Sequence, residues 1–227
     1  MSTPRSHANP NPNPRLSDIF GQGHSAYFSN GPVTRLSSIR LNKQLLDKAS
    51  THPSARYLTF EELNPLRDPQ GKLAFVSYDD VANGMGRPYA HDEKAQIAAF
   101  DPDEHHPNVI FLGMCLEAGG NCRREGPTGR VHRRAVLCAG RDVVGALRRV
   151  QAAVAAAIHD THAPTRIDLT LDHARAAIYS HARALLDWNT RNRYCSSCGG
   201  RTLSTLGGAK VVCPPADCGV GRTLPPC

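Results

Sequence analysis

No stretch of this 227-residue chain approaches the ~20 consecutive apolar residues that span a bilayer. It also has no lipidation motif, so neither a spanning nor an anchored state is supported and no membrane partner is expected. The N-terminus lacks the apolar core of a secretory leader and instead runs through Asn9-Pro10-Asn11-Pro12-Asn13-Pro14. That absence argues against secretion and against an oxidised disulfide framework, and makes a reducing compartment, the cytoplasm, the expectation. With so few apolar side chains, residues 1–22 cannot offset the entropy of ordering and are expected to form a disordered tail. Aromatic residues are scarce as well, and none falls among the arginines between Arg123 and Arg149. That segment holds eight arginines against Glu125 and Asp142, an excess of six within a net charge of +7, so the rest of the chain is close to neutral. Such a patch can attract a polyanion. Without an interleaved aromatic to stack a base, a solvated loop and helix face accounts for it at least as well, and nucleic acid is not the expected partner.

What the chain does contain is a cysteine cluster near its end: Cys195, Cys198, Cys213, Cys218 and Cys227, with Cys195-x-x-Cys198-Gly199-Gly200 forming a knuckle. Two intervening residues let a tight turn aim both sulfurs at one ion, and the glycines supply backbone for amide hydrogen bonds to the thiolates. Arg201–Leu206 reads as a strand, Gly207-Gly208 as a two-residue hairpin turn, and Ala209–Val212 as the strand that returns Cys213 to the first pair. This is the signature of a zinc ribbon, with a structural Zn2+. For the fourth ligand, spacing favours Cys218, which follows Cys213 closely, over Cys227, which needs a longer loop through Pro225-Pro226. A redox pair would be expected to open a helix in a βαβ unit, which is not the pattern here. Cys115, Cys122 and Cys138 lack ligand spacing and are read as thiols without a role.

Upstream, the length suffices for one medium domain plus a small module. Leu36, Ile39, Leu41, Leu45 and Leu46 mark an entry segment ending near Ser50. Arg56–Phe60, Leu73–Tyr78, Asn108–Gly113 and, more weakly, Ala135–Cys138 read as strands. Val143, Leu147, Val150, Val154 and Ile158 recur at helical spacing between Asp142 and His159. A second helix starts at the N-cap Asp172 and carries Ala174, Ile178, His181, Leu185 and Trp188 on one face to about Arg193. His181 is read as a packed, hydrogen-bonded histidine, and His105, His106, His159 and His162 as surface residues. The expected fold is α+β: an antiparallel sheet with two or more helices, followed by a small zinc ribbon.

The run from Ser180 to Gly199, with Trp188-Asn189 directly before the knuckle, resembles the joint between N-terminal domain and zinc ribbon in the NADH pyrophosphatases, a branch of the Nudix hydrolases, fungal members above all. His52-Pro53-Ser54-Ala55-Arg56-Tyr57, Leu73–Tyr78 and Val109–Gly113 resemble the same N-terminal domain. The resemblance implies residues 23–193 as that domain and 194–227 as the ribbon. It implies a family that hydrolyses NAD(H) and related dinucleotides to NMN(H) and AMP, with Mg2+ or Mn2+ held by the glutamates of a Nudix helix, and a homodimer as a second partner. It also implies Cys227, after Pro225-Pro226, as the fourth ligand. The expected set is therefore Cys195, Cys198, Cys213 and Cys227, with Cys218 as substitute. A peroxisomal address is the alternative to the cytoplasm. The family's box, Gly-x5-Glu-x7-Arg-Glu-U-x-Glu-Glu-x-Gly with U apolar, is not in this chain. Arg124-Glu125 is followed by Gly126, and Glu61-Glu62 has no Arg-Glu before it. Without such carboxylates hard cations cannot be placed on a pyrophosphate. No catalytic residue is therefore assigned, and the expectation is a fragment, inactive alone, that ends where the catalytic half would begin. A binding or dimerisation module is the alternative expectation.

Overall fold

A computed structural model describes residues 26–61, 63–68, 71–103, 108–115, 134–139, 171–214 and 218. Its central sheet runs β1 (Val33–Thr34), β4 (Val109–Cys115), β5 (Arg134–Ala139), β2 (Arg56–Glu61) and β3 (Asn64–Pro65) in spatial order. Along the sheet, β4 pairs antiparallel with β1 and β5, but β5 runs parallel to β2, with Arg56 opposite Val136 and Thr59 opposite Ala139. The α+β class stands, whereas the sheet is mixed and not antiparallel.

The reason lies in burial. Tyr57, Val109, Phe111, Ala135 and Leu137 point into one core layer, with Leu46 of α2 (Lys43–Thr51) and Val81 and Met85 of α3 (Tyr78–Met85). The alternate residues Leu58, Phe60, Ile110, Leu112 and Val136 point into the other, against Ala176, Ile178, Ala182 and Leu186 of α5 (His173–Arg191). Strands covered on both faces carry unbroken apolar runs, and such runs accompany parallel pairing as readily as antiparallel. The apolar run Val109–Leu112 and the run Ala135–Leu137 are of this kind.

Two local expectations also change. Leu73–Tyr78 is not a strand: only Leu73 and Val76 make isolated bridges, to Arg67 and Tyr57. Ser77 instead caps α3, accepting from the Asp80 amide while the Asp80 carboxylate accepts from the Ser77 amide. That reciprocal capping box turns the chain into a helix where the apolar pattern alone reads strand. The entry segment resolves into α1 (Ser37–Leu41) and α2, the latter capped by Asn42. The helix at Asp172 forms as expected, with the Asp172 carboxylate accepting from the Arg175 amide.

The last described strands, β6 (Leu203–Thr205) and β7 (Lys210–Val212), form a hairpin of their own. Thr205 opposite Lys210 is its final pair, so the turn is the four-residue Leu206–Ala209 and not Gly207-Gly208 alone. The longer turn lets its tip dock. The Gly207 carbonyl accepts from the Phe111 amide at 3.0 Å and from Arg40 Nη1 at 2.9 Å, and the Gly208 carbonyl accepts from Asn189 Nδ2 at 3.0 Å. Phe111 is fully buried, and its amide lies on the β4 edge that the short β1 does not reach, so the tip supplies the partner that buried backbone requires. At the same place β4 carries a bulge between Phe111 and Gly113, where φ is +148° and a Cβ would sit 2.2 Å from the Thr34 carbonyl oxygen. The expected tail 1–22, the helix 142–159, the basic segment apart from 134–139, and His105, His106, His159 and His162 lie outside the described residues.

Candidate metal centre

Helix α5 ends at Asn192, whose amide and side chain both donate to the Trp188 carbonyl. The chain then closes the knuckle. The Cys195 amide donates to the Gly200 carbonyl at 2.8 Å, the Gly199 amide to the Cys195 carbonyl at 2.9 Å, and Tyr194 bridges to Arg201. Register in the hairpin, with Leu203 opposite Val212, brings Cys213 back beside the knuckle at the end away from the docked tip.

One sulfur from each of Cys195, Cys198, Cys213 and Cys218 falls in a cluster in which all four lie within 4.8 Å of one another. Cys195 Sγ is 3.5 Å from Cys218 Sγ, and Cys198 Sγ is 3.4 Å from Cys213 Sγ. A disulfide would bring sulfurs to about 2.05 Å. Four sulfurs about 2.3 Å from a tetrahedral ion lie about 3.8 Å apart. The observed spacing brackets that value, and four soft donors with no carboxylate among them suit a thiophilic ion such as zinc. The cluster is thus compatible with a metal site. Of the expected ligands, three are brought together by the structure, Cys218 is the fourth member of the cluster, and Cys227 lies outside the described residues.

The electrostatics are graded across the cluster. The Cys198 and Ser197 backbone amides hold the Cys195 thiol down to about 6, while burial pushes the Cys213 thiol well up. The Gly200 amide donates to Cys198 Sγ at 3.4 Å, the type of amide–sulfur contact that neutralises thiolate charge. If a zinc ion were held by these four sulfurs, they would fill its tetrahedron and leave no position for a reacting water, so such an ion would serve structure. Cys115 is buried in the sheet, away from the cluster. Cys122 lies outside the described residues, as does the side chain of Cys138.

Three residues that give this site its footing carry no ligand chemistry, and sequence reading passed over their roles. Asn189, buried near the end of α5, bonds both to the Gly208 carbonyl and to Ser204 Oγ at 2.6 Å. Glu93 of α4 (Glu93–Ala98) pairs with Lys210 Nζ at 2.8 Å and accepts from Thr205 Oγ1 at 3.2 Å. Arg40 stacks over the Phe111 ring and bonds to the hairpin tip. The one available signal was Asn189 itself, a polar residue a single turn beyond Leu185 and Leu186. His181 is half-buried on the α5 face, but the hydrogen bond expected of it is absent among the described residues. Burial, Arg35 and Arg40, in that order, hold its pKa down to about 4.

No family model matches the chain. Among curated proteins, it is 31% identical over 198 residues to the NAD-capped RNA hydrolase of Schizosaccharomyces pombe, covering 83% of this chain and 49% of that protein. It is 28% identical over 213 residues to the NAD-capped RNA hydrolase NUDT12 of Homo sapiens, covering 85% of this chain and 41% of that protein. The NUDT12 of Macaca fascicularis matches at 27% over the same length. The chain spans about half the length, or somewhat less, of the curated relatives it matches. RNA appears in the names of these relatives. No helix among the described residues is long and apolar enough to cross a membrane. Over that shared part, the chain is similar to these NAD-capped RNA hydrolases.

Proposed function

We propose that this chain is the non-catalytic portion, N-terminal domain plus zinc ribbon, of a protein of the NADH pyrophosphatase branch that hydrolyses NAD-linked pyrophosphates, NAD(H) or the NAD cap of an RNA. The observation that carries the reading is the four-sulfur cluster at one end of a hairpin whose other end is clamped by Arg40, Phe111 and Asn189. A tetrathiolate zinc there would lock the knuckle after α5 to β7. Docking of the opposite end would then fix the ribbon against the sheet. In this reading residues 23–193 form the domain, 194–227 the ribbon, and the ribbon sets the direction in which any following chain departs. The similarity to proteins named NAD-capped RNA hydrolases supports an NAD-linked substrate class. The sequence supplies no glutamate cluster to hold Mg2+ or Mn2+, so hydrolysis belongs to a part of the whole protein not represented by this sequence.

For the ligands we propose Cys195, Cys198, Cys213 and Cys218, because Cys218 stands 3.5 Å from Cys195. Zinc content of the purified chain, measured for each Cys→Ser variant, tests this. The four named variants should lose or weaken zinc and Cys227→Ser should keep it; the reverse pattern for Cys218 and Cys227 overturns the fourth assignment. The scaffold role is tested by incubating the 227-residue chain with NADH, or with an NAD-capped oligonucleotide, in Mg2+ or Mn2+. No turnover is expected, and sustained release of NMNH or AMP by the pure chain would refute it.

A further inference from the structure

We propose that the cleft between the Phe28–Arg35 segment and helix α5 is a binding site for a mononucleotide, with Arg35 and His181 receiving the phosphate and the apolar wall receiving the base. The cleft has a volume of about 510 Å3. That is several times what a phosphate needs and within the range of small-molecule sites, roughly 300–1,000 Å3. Its apolar lining is Phe28, Val33, Leu112 and Ile178. The Phe28 ring is half-buried against the core and lies edge-on to Tyr27 with centroids 4.9 Å apart, so its position is set before any ligand arrives. Ser180 Oγ donates to the Phe28 carbonyl at 3.0 Å, tying the segment to α5 and setting the width of the cleft. Aromatic faces of this kind stack on heterocycles without regard to their identity.

The polar end is one-signed. Arg35 and His181 both line the cleft, and no carboxylate does among the described residues. Arg35 is exposed and makes no ion pair among the described residues. Burial first, and then Arg35 and Arg40, keep His181 unprotonated, so the only charged side chain lining the cleft is the Arg35 guanidinium, with no carboxylate facing it among the described residues. A phosphate dianion supplies the opposite charge. The planar guanidinium of Arg35 offers two parallel donors to its oxygens, and the neutral imidazole of His181 offers one N–H. Phosphate alone would leave the apolar wall wet, and a nucleoside alone would leave Arg35 without a counter-charge.

The inference stands apart from the scaffold reading, since nucleotide binding to this chain and turnover by it are separate measurements. Calorimetric titration of the zinc-loaded 227-residue chain with AMP should give saturable binding at one site, at least about tenfold tighter than with inorganic phosphate or with adenosine. Arg35→Ala should weaken AMP about tenfold or more, Arg35→Lys and His181→Gln by less, all with the parent zinc content. Arg35 is exposed, so its variants should keep the parent melting temperature and report binding alone. Absence of AMP binding at millimolar concentration, undiminished binding in Arg35→Ala, or phosphate or adenosine binding as tightly as AMP would each overturn the proposal.

Discussion

Replacing Asn189 by alanine tests how the cysteine hairpin is held. In the folded chain the Asn189 amide donates to the Gly208 carbonyl at 3.0 Å and to the Leu185 carbonyl at 2.8 Å, and its oxygen accepts from Ser204 Oγ at 2.6 Å. The Leu185 carbonyl sits within α5 and its loss matters least. Stranding the Gly208 carbonyl costs about 1–3 kcal/mol, because Gly208 packs against Ile110 where water cannot replace the donor. Ser204 is half-buried and can turn toward water, so its share is about 0.5–1 kcal/mol. Removing the amide from a buried site adds a small void, and the expected total is about 2–4 kcal/mol. Urea unfolding of parent and variant, zinc-loaded, reads this directly. Asn189→Asp keeps the acceptor for Ser204 but sets a carboxylate against the Gly208 carbonyl, so it should be no better than alanine. A loss below about 0.5 kcal/mol in Asn189→Ala, the size of an ordinary surface change, would refute the clamp.

Gly113→Ala should lower stability by about 3 kcal/mol or more, since the new Cβ would stand 2.2 Å from the Thr34 carbonyl oxygen and β1 must move off β4. Hydrogen exchange should show the Val33 and Thr34 amides losing protection first, and an unchanged exchange pattern would contradict the close approach. His181 has a folded pKa of about 4 against an ordinary 6.5, so the unfolded chain binds the extra proton. Its contribution to stability is therefore intact above about pH 6.5 and lost as pH falls toward about 4. His181→Gln should flatten the fall in melting temperature across that window, and an unaltered acid limb would show that His181 is not the group responsible.

Much of the cysteine site was written in local spacing. A Cys-x-x-Cys knuckle followed by a returning strand is a short-range device, and the structure gathers the sulfurs of Cys195, Cys198 and Cys213 with that of Cys218. Competing spacings for the fourth sulfur could be weighed but not decided, because a loop's path depends on what it packs against. The helix from Asp172 was equally legible, its cap and apolar stripe both being local. Where the reading failed, a nonlocal partner or a cap intervened. Ser77 and Asp80 turned the end of an apolar run into a helix, and the parallel pairing of β2 with β5 joined strands buried on both faces, whose unbroken apolar runs suit either direction.

The sequence by itself determined the donor chemistry, four or five thiols and no carboxylate cluster, together with the helix that leads into them. Tertiary structure alone decided the mixed sheet, the docking of the hairpin tip on the free edge of β4, and the meeting of Arg35 with His181 across a cleft. Thiol spacing within a knuckle and helical periodicity are set by bonds and dihedrals a few residues apart. Satisfying a buried Phe111 amide, or bringing Arg35 and His181 to one cleft, depends on groups that are neighbours only after the chain has closed.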